Sequence, residues 1–417
     1  MNEIWHPFVQ MRGFETKGTV VRAEGSWLYL SDGRRVFDGI SSWWVNILGH
    51  SHPVIVEAIA KQAATFDQVI IADFSHAPAV ELTERLRKIL PDGLEQVFFS
   101  DNGSTSVEVA LKMAVQAQHS RGESKRARFV AFEGSYHGDT AGAMSVGARG
   151  VFNEVFEPML FDVDFLPYGD SSAVLEYCNQ HGSEVIAMIM EPLIQGAGGI
   201  AFSDPEFVAL SKKACSDAGI YFIADEVMTG WGRTGTLFAM EQTGVSPDFI
   251  CLSKGITGGT LALGVTATTQ EVYDLFLGDD KSSAFLHGHS YSGNPISCAA
   301  ANATLGLIES ERMLEKVETM ELLYRQWIPR FEEIPGLFTV RARGGIFAFE
   351  IGGSGADYLD PAGHRVAARV LKENIYIRPL GNTVYLMPPY CVSHDELNQV
   401  LEILWDATKR EQSSGDE

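Results

Sequence analysis

Between about residue 60 and residue 310, short apolar runs alternate with segments of helical period, and no other feature restricts the fold as much. The runs "QVFFS" (96–100), "ARFVAFE" (127–133), "VIAMIME" (185–191), "IYFIADE" (220–226) and "DFICLS" (248–253) read as strands buried on both faces. Between and around them, 80–90, 104–119, 205–218 and 295–310 carry apolar residues three and four apart, the period of a helix. Strands separated in this way predict an α/β fold with a mostly parallel central sheet. The flanks differ. Residues 18–38 read as a hairpin turning at Asp32-Gly33. After 312 a long helical stretch leads to the strand-like "GIFAFEI", a helix near 361–374 and the strand-like "TVYLMPP". We therefore expect a large domain over 61–311 and a smaller α+β domain built from 1–60 and 312–417, with the polar end "KREQSSGDE" (409–417) frayed.

A chain of 417 residues with 45% hydrophobic content can bury a large core. Its 32 basic and 54 acidic residues leave a net charge of −22, which opposes binding to nucleic acid or anionic lipid. The five cysteines are scattered and form no CxxC pair, so a reducing, cytoplasmic setting is expected, with no disulfide frame and no zinc knuckle. "MNEIWHPFVQM" lacks the plan of a secretion signal, and no run of about 18 apolar residues occurs.

In open α/β sheets, ligands bind at the carboxyl ends of the strands. Four such ends carry reactive or permissive residues: Asp225-Glu226, Asn102-Gly103-Ser104, Tyr136-His137-Gly138-Asp139, and Lys254 after "DFICLS". The helix starting near Ser104 aims free N–H groups at this edge, a cradle for phosphate; a plain helix cap explains that piece equally well. A carboxylate at a buried strand end needs a cationic partner, and a protonated pyridine nitrogen would serve. A lysine there has its ammonium form disfavoured by desolvation, which frees the amine to attack an aldehyde. Phosphate, ring cation and aldehyde together describe pyridoxal phosphate.

The stretch "FIADEVMTGWGRTGTLFAMEQTGVSPDFICLSKGITGG" (222–259) resembles the signature of the class III aminotransferases, a family of fold type I. The resemblance implies that Asp225 holds the cofactor's ring nitrogen and that Lys254 binds its aldehyde covalently and moves the proton during catalysis. "DNGSTSVEVALKMA" (101–114) is similar to the family's phosphate loop, implying roles for Gly103 and Ser104. "YHGDT" (136–140) is similar to the ring-stacking segment, which puts Tyr136 on the ring. "HGHSYSGNP" (287–295) is similar to the loop that crosses a homodimer interface. That loop would carry His289 and Ser290 to the neighbour's cofactor phosphate and Gly288 to the substrate.

Within the family, "IWHPF" (4–8), "DGISSWWVNILGHSHP" (38–53), "ADFSHAPA" (72–79) and "IRPLGNTVYLMPPY" (377–390) resemble one branch. Its members convert 8-amino-7-oxononanoate to 7,8-diaminononanoate in biotin biosynthesis by a ping-pong reaction. The likeness implies that Phe8 and Trp43, beside Tyr136, wall a channel for the apolar acceptor, and that Arg378 faces its carboxylate. Of Trp43 and Trp44, one is expected to pack inward. Two departures touch substrate choice: Phe8 stands where the best-known members have Tyr, and "HGHS" stands where the adenosylmethionine-using type often has "HGPT", while "HGHSY" also resembles lysine-using relatives. The amino donor thus stays open between S-adenosylmethionine and lysine. Arg233, in "GWGRTG", either orients a loop or touches substrate.

Other readings exist. "HSH" (50–52) and "HGH" (287–289) could serve a metal-dependent hydrolase, and "GAGGIA" (196–201) could begin a nucleotide-binding turn. Another ω-aminotransferase activity within the same family is the nearer alternative.

Overall fold

The computed structural model describes residues 4–150, 152–353, 355 and 357–413. Seven strands form the central sheet, in the order Leu94–Ser100, Gly264–Thr269, Phe249–Leu252, Tyr221–Asp225, Val185–Met190, Arg128–Phe132 and Val163–Leu166. Gly264–Thr269 runs antiparallel to both of its neighbours. The other four pairings are parallel. The three central strands 185–190, 221–225 and 249–252 are buried at every position, as strands covered by helices on both faces must be. Two strands escape the sequence reading. "VDFL" (163–166) is short and carries an aspartate, and "GVTATT" (264–269) follows a glycine-rich loop without a bulky apolar run.

The four predicted helices form at Ala77–Ile89, Gly103–Ser120, Pro205–Asp217 and Pro295–Ser310. Because the strands are parallel, the segments that follow 128–132, 185–190, 221–225 and 249–252 emerge at one edge.

The N-terminal hairpin is one of two. Arg35–Asp38 pairs with Trp27–Leu30 across Asp32-Gly33, and Trp27–Leu30 pairs again with Val20–Glu24 across Gly25-Ser26, where Gly25 takes φ +56°. Ile375–Tyr376 then adds in parallel to Phe37 and Asp38, so strands from both ends of the chain share one sheet. Leu337–Arg343, Ile346–Ile351 and Thr383–Leu386 make a separate antiparallel sheet. The expectation of a frayed end from 409 is corrected, because the helix His394–Ser413 continues through it. Glu411 accepts from Arg365 at 2.6 Å and Arg369 at 2.7 Å, which holds the last turn. Residues 414–417 of that expectation lie outside the described residues.

Among the described residues, 41–44 form the longest run of left-handed backbone outside glycine. Ser41, Ser42, Trp43 and Trp44 have φ of 51°, 44°, 73° and 72°, a left-handed turn without glycine. Each L-residue in such a turn costs roughly 1–2 kcal/mol, so it persists only where its surroundings over-determine it.

Candidate active site

The strand ends enclose a cavity of about 420 Å³ lined by Trp44, Gly103, Ser104, Tyr136, Glu191, Asp225 and Lys254. A larger open hollow of about 970 Å³ lies between the helix Gly103–Ser120 and residues 282–287, and none of the predicted site residues lines it. The smaller cavity holds the strand-end acid and the lysine, and the chemistry points there.

Lys254 follows the strand Phe249–Leu252 with φ +45°, a conformation rare for a side chain of its length. Desolvation pushes its amine down to about 8, against the opposing pull of Asp225 and Glu191. Its Nζ stands 4.8 Å from the centroid of the Trp44 ring. Asp225 closes the strand Tyr221–Asp225 and is buried. Its Oδ2 pairs with His137 Nδ1 at 2.7 Å, and its Oδ1 accepts from the Val227 N–H at 3.1 Å. His137 is itself buried, and its Nε2 has no partner among the described residues.

Glu191 is a third acid at this edge, which sequence reading passed over although it ends "VIAMIME" as Asp225 ends its own run. It accepts from the N–H groups of Tyr136 (3.1 Å) and Gly196 (2.8 Å). Burial pushes its carboxyl up to about 7. Glu226, the other half of the "DE" pair, points elsewhere. It accepts from Ala239 N–H, Met240 N–H and the Thr229 hydroxyl, and so braces a loop.

The phosphate-type cradle is built from small residues. Asn102 caps the helix by accepting from the N–H groups of Thr105 and Ser106, which leaves those of Gly103 and Ser104 for another acceptor. Asp139 N–H donates to Ser104 Oγ at 3.2 Å, and Gly138 packs so closely that a Cβ on it would sit 2.1 Å from that oxygen. Tyr136 donates its hydroxyl hydrogen to Asp139 Oδ2 at 2.9 Å. A helix start free to bind an anion, a buried carboxylate and a desolvated amine lining one cavity fit a ring bearing phosphate, basic nitrogen and aldehyde.

The remaining predicted residues separate into groups. Phe8, Trp43 and Arg378 meet outside the cavity: the Phe8 and Trp43 rings lie 5.4 Å apart, and the Arg378 guanidinium stands 4.9 Å from the Trp43 ring. Arg378 also donates to the Phe8 carbonyl at 3.4 Å. Phe152 joins them to the cavity, 6.0 Å from Phe8 and 6.3 Å from Tyr136, and Tyr358 packs 4.4 Å from it. Neither Phe152 nor Tyr358 belongs to a motif that sequence reading could weigh. Of the two tryptophans, Trp44 packs inward yet lines the cavity, while Trp43 is 38% exposed. Gly288, His289 and Ser290 do not reach the cavity of their own chain. His289 Nδ1 pairs with Asp101 at 2.9 Å, and the Ser290 carbonyl accepts from Gln68. Arg233 is buried and donates to the carbonyls of Trp44 and Pro388, so it orients the loop.

The rival motifs are spent on structure. His50 and His52 pair with Asp38 and Glu311 at 2.9 Å each and stand apart from the cavity lining. "GAGGIA" closes a small hairpin, Ile194–Gln195 against Ala201–Phe202, instead of opening a helix, which overturns the nucleotide-binding reading.

This edge, with its lysine, buried acid and helix start on a mostly parallel sheet, is that of an amino-group transferase, and the chain belongs to the class III aminotransferases: their family model matches residues 11–408. Among named relatives, it is similar to the adenosylmethionine-8-amino-7-oxononanoate aminotransferase of Synechococcus elongatus, with 46% identity over 97% of each chain. The enzyme of the same name from Geobacter sulfurreducens is 37% identical over 96% of this chain and 94% of its own. A crystal structure of the Methanocaldococcus jannaschii enzyme of that name superposes with a TM-score of 0.94 at 35% identity, covering 98% of this chain and 97% of that one. An amine transaminase from an uncultivated Pseudomonas species, in its PLP-bound form, gives a TM-score of 0.91 at 31% identity over 98% and 99% of the two chains.

Proposed function

We propose that this chain transfers an amino group to the ketone carbon of 8-amino-7-oxononanoate, giving 7,8-diaminononanoate, with pyridoxal 5′-phosphate as cofactor and S-adenosylmethionine as donor. The observation that carries this reading is the meeting of Lys254, Asp225 and the Gly103–Ser104 helix start in one cavity at a sheet edge. The acceptor and donor are those printed in the relatives' names.

When bound, the cofactor supplies a carbonyl that carries the amino group and a ring that takes up the electrons of a broken C–H bond. Asp225, fixed by His137 and Val227, holds a proton on the ring nitrogen. Gly103 and Ser104 would bind the phosphate through their N–H groups, and Tyr136 would cover the ring. Lys254 would hold the cofactor carbonyl. Its Nζ is also the group that would take the proton from the donor carbon; its lowered pKa gives a larger uncharged fraction near neutral pH than a solvated lysine has. In the second half-reaction the same Nζ returns a proton to the acceptor carbon. Phe8 and Trp43 receive the apolar chain of the acceptor, and Arg378 its carboxylate.

The loop 287–295 is read as serving a second copy in a homodimer, with His289 and Ser290 at the partner's phosphate and Gly288 at its substrate. That Gly288, His289 and Ser290 do not line the cavity of their own chain supports this. Among the described residues no helix is long and apolar enough to cross a membrane, in keeping with a cytoplasmic enzyme. We retain the division into a large domain, 61–311, and a small one from 1–60 and 312–417.

The test holds 8-amino-7-oxononanoate fixed and compares S-adenosylmethionine with lysine as donor. Diaminononanoate from the first supports the full reading, and its appearance from lysine alone reassigns the donor. No product from either refutes the acceptor. Lys254→Ala should bind cofactor yet turn over nothing, and borohydride should fix the cofactor to wild type but not to this variant.

A further inference from the structure

The left-handed turn Ser41–Trp44 presents one tryptophan to Lys254 and the next to Arg378. Its ends are tied by the Ser41 hydroxyl to the Met387 carbonyl, by the Trp44 indole to the Tyr385 hydroxyl and by Arg233 to the Trp44 carbonyl, and its middle rests on a buried acid. Asp38, fully buried at the end of the strand Arg35–Asp38, accepts from the Ser42 hydroxyl at 2.7 Å and the Ile40 N–H at 3.3 Å. His50 Nε2 stands 2.9 Å from the same carboxylate. The tautomer follows from the neighbouring amide. Asn46 uses its Oδ1 to accept from Gly49 N–H, so its Nδ2 is what faces His50 Nδ1 at 3.0 Å. His50 Nδ1 therefore accepts, and its Nε2 carries the hydrogen donated to Asp38. Val45 and Gly259 both line the cavity, and Gly259 packs against the Val45–Asn46 backbone so closely that a Cβ on it would lie 2.7 Å from Asn46 Cα.

We propose that Asp38 and His50 are positioning residues: as a buried pair they hold the left-handed turn, and through it they place Trp44 against Lys254 and Trp43 against Arg378. Neither touches the cavity, and their effect on turnover passes through the two indoles. The consequence for substrate rests on the proposed function; the consequence for the turn does not. Asp38→Asn keeps the shape, but Oδ2 receives both His50 and Ser42 while Oδ1 receives the Ile40 N–H, so whichever way the amide is turned its Nδ2 faces at least one donor. His50 cannot answer by changing tautomer, since Asn46 faces its other nitrogen with a donor.

The experiment uses the full-length chain. Hydrogen–deuterium exchange of peptides spanning 39–50 in Asp38→Asn and His50→Phe should run about tenfold faster than in wild type, with the central strands unchanged. In the cofactor-loaded protein, KM for 8-amino-7-oxononanoate should rise about tenfold while kcat falls less than about threefold. Adding Ser42→Gly to Asp38→Asn should recover most of the KM, because glycine adopts the left-handed geometry without strain. Unchanged exchange over 39–50 overturns the proposal, as does faster exchange with unchanged KM. A loss of kcat that only follows the folded fraction also overturns it, since that marks a merely structural pair. If wild type does not turn over this acceptor, the functional reading fails, and the exchange data still decide whether the pair holds the turn.

Discussion

His137 Nδ1 stands 2.7 Å from Asp225 Oδ2, and both side chains are buried. The imidazole fixes the direction in which the carboxylate faces the cavity, so under the proposed function the pair would act on the ring nitrogen as a unit. Asp225→Asn should lower kcat by about 10²–10³, the scale for removing one preorganised charge at a reacting centre. His137→Phe should cost less, about tenfold, because Asp225 keeps its bond from Val227 N–H. Single-turnover kinetics would check both; equal losses would mean that His137 does more than orient.

Lys254 gives a stability signature without any cofactor. Its amine titrates at about 8 when folded, against 10.5 when unfolded, so between those values the unfolded chain binds more protons and stability rises with pH. Lys254→Leu lacks this term. The cofactor-free variant should therefore be more stable than wild type near pH 7, with the gap closing towards pH 10.5. Thermal midpoints at several pH values measure it.

Gly138 leaves no room for change. A methyl group there would collide with Ser104 Oγ, and the backbone φ of +126° is strained for any other residue. Gly138→Ala should weaken pyridoxal phosphate binding by about tenfold or more. Equilibrium titration of the cofactor-free protein would show it.

Arg378 and Lys are not interchangeable here. The guanidinium lies against Trp43 and bonds the Phe8 carbonyl, and under the proposed function its remaining N–H groups would take the acceptor's carboxylate. Arg378→Lys should raise KM for 8-amino-7-oxononanoate by about 10- to 100-fold with kcat nearly unchanged, as befits a charged hydrogen bond remote from the reacting carbon.

Glu226 lies within the family signature, yet its bonds are structural. Glu226→Ala orphans three buried donors and should destabilise the fold by about 3 kcal/mol or more. Urea denaturation would measure this.

The strands that end in Asp225 and before Lys254 were legible because both are continuous apolar runs closed by a charged residue, a combination burial tolerates only with a partner. The same rule picks out Glu191, which closes "VIAMIME" but is followed by Pro192 and not by a helix start. Trp44 and Trp43 could not be told apart in sequence, since the turn between them reverses the facing that ordinary backbone would give. Phe152 and Tyr358 were invisible because their meeting depends on segments distant in sequence. Gly264–Thr269 was missed because its strand signal is carried by pairing with two neighbours and not by hydrophobicity.

That strand also governs how the molecule is assembled. Among the described residues, Leu94–Ser100 pairs into its sheet through Gly264–Thr269 alone, so on the ribosome its apolar edge waits until residue 264 and beyond have emerged. The closing of so long a loop makes this pairing a late, slow event in folding, and a nascent chain stalled before it exposes Val97 and Phe99 to chaperones or to aggregation.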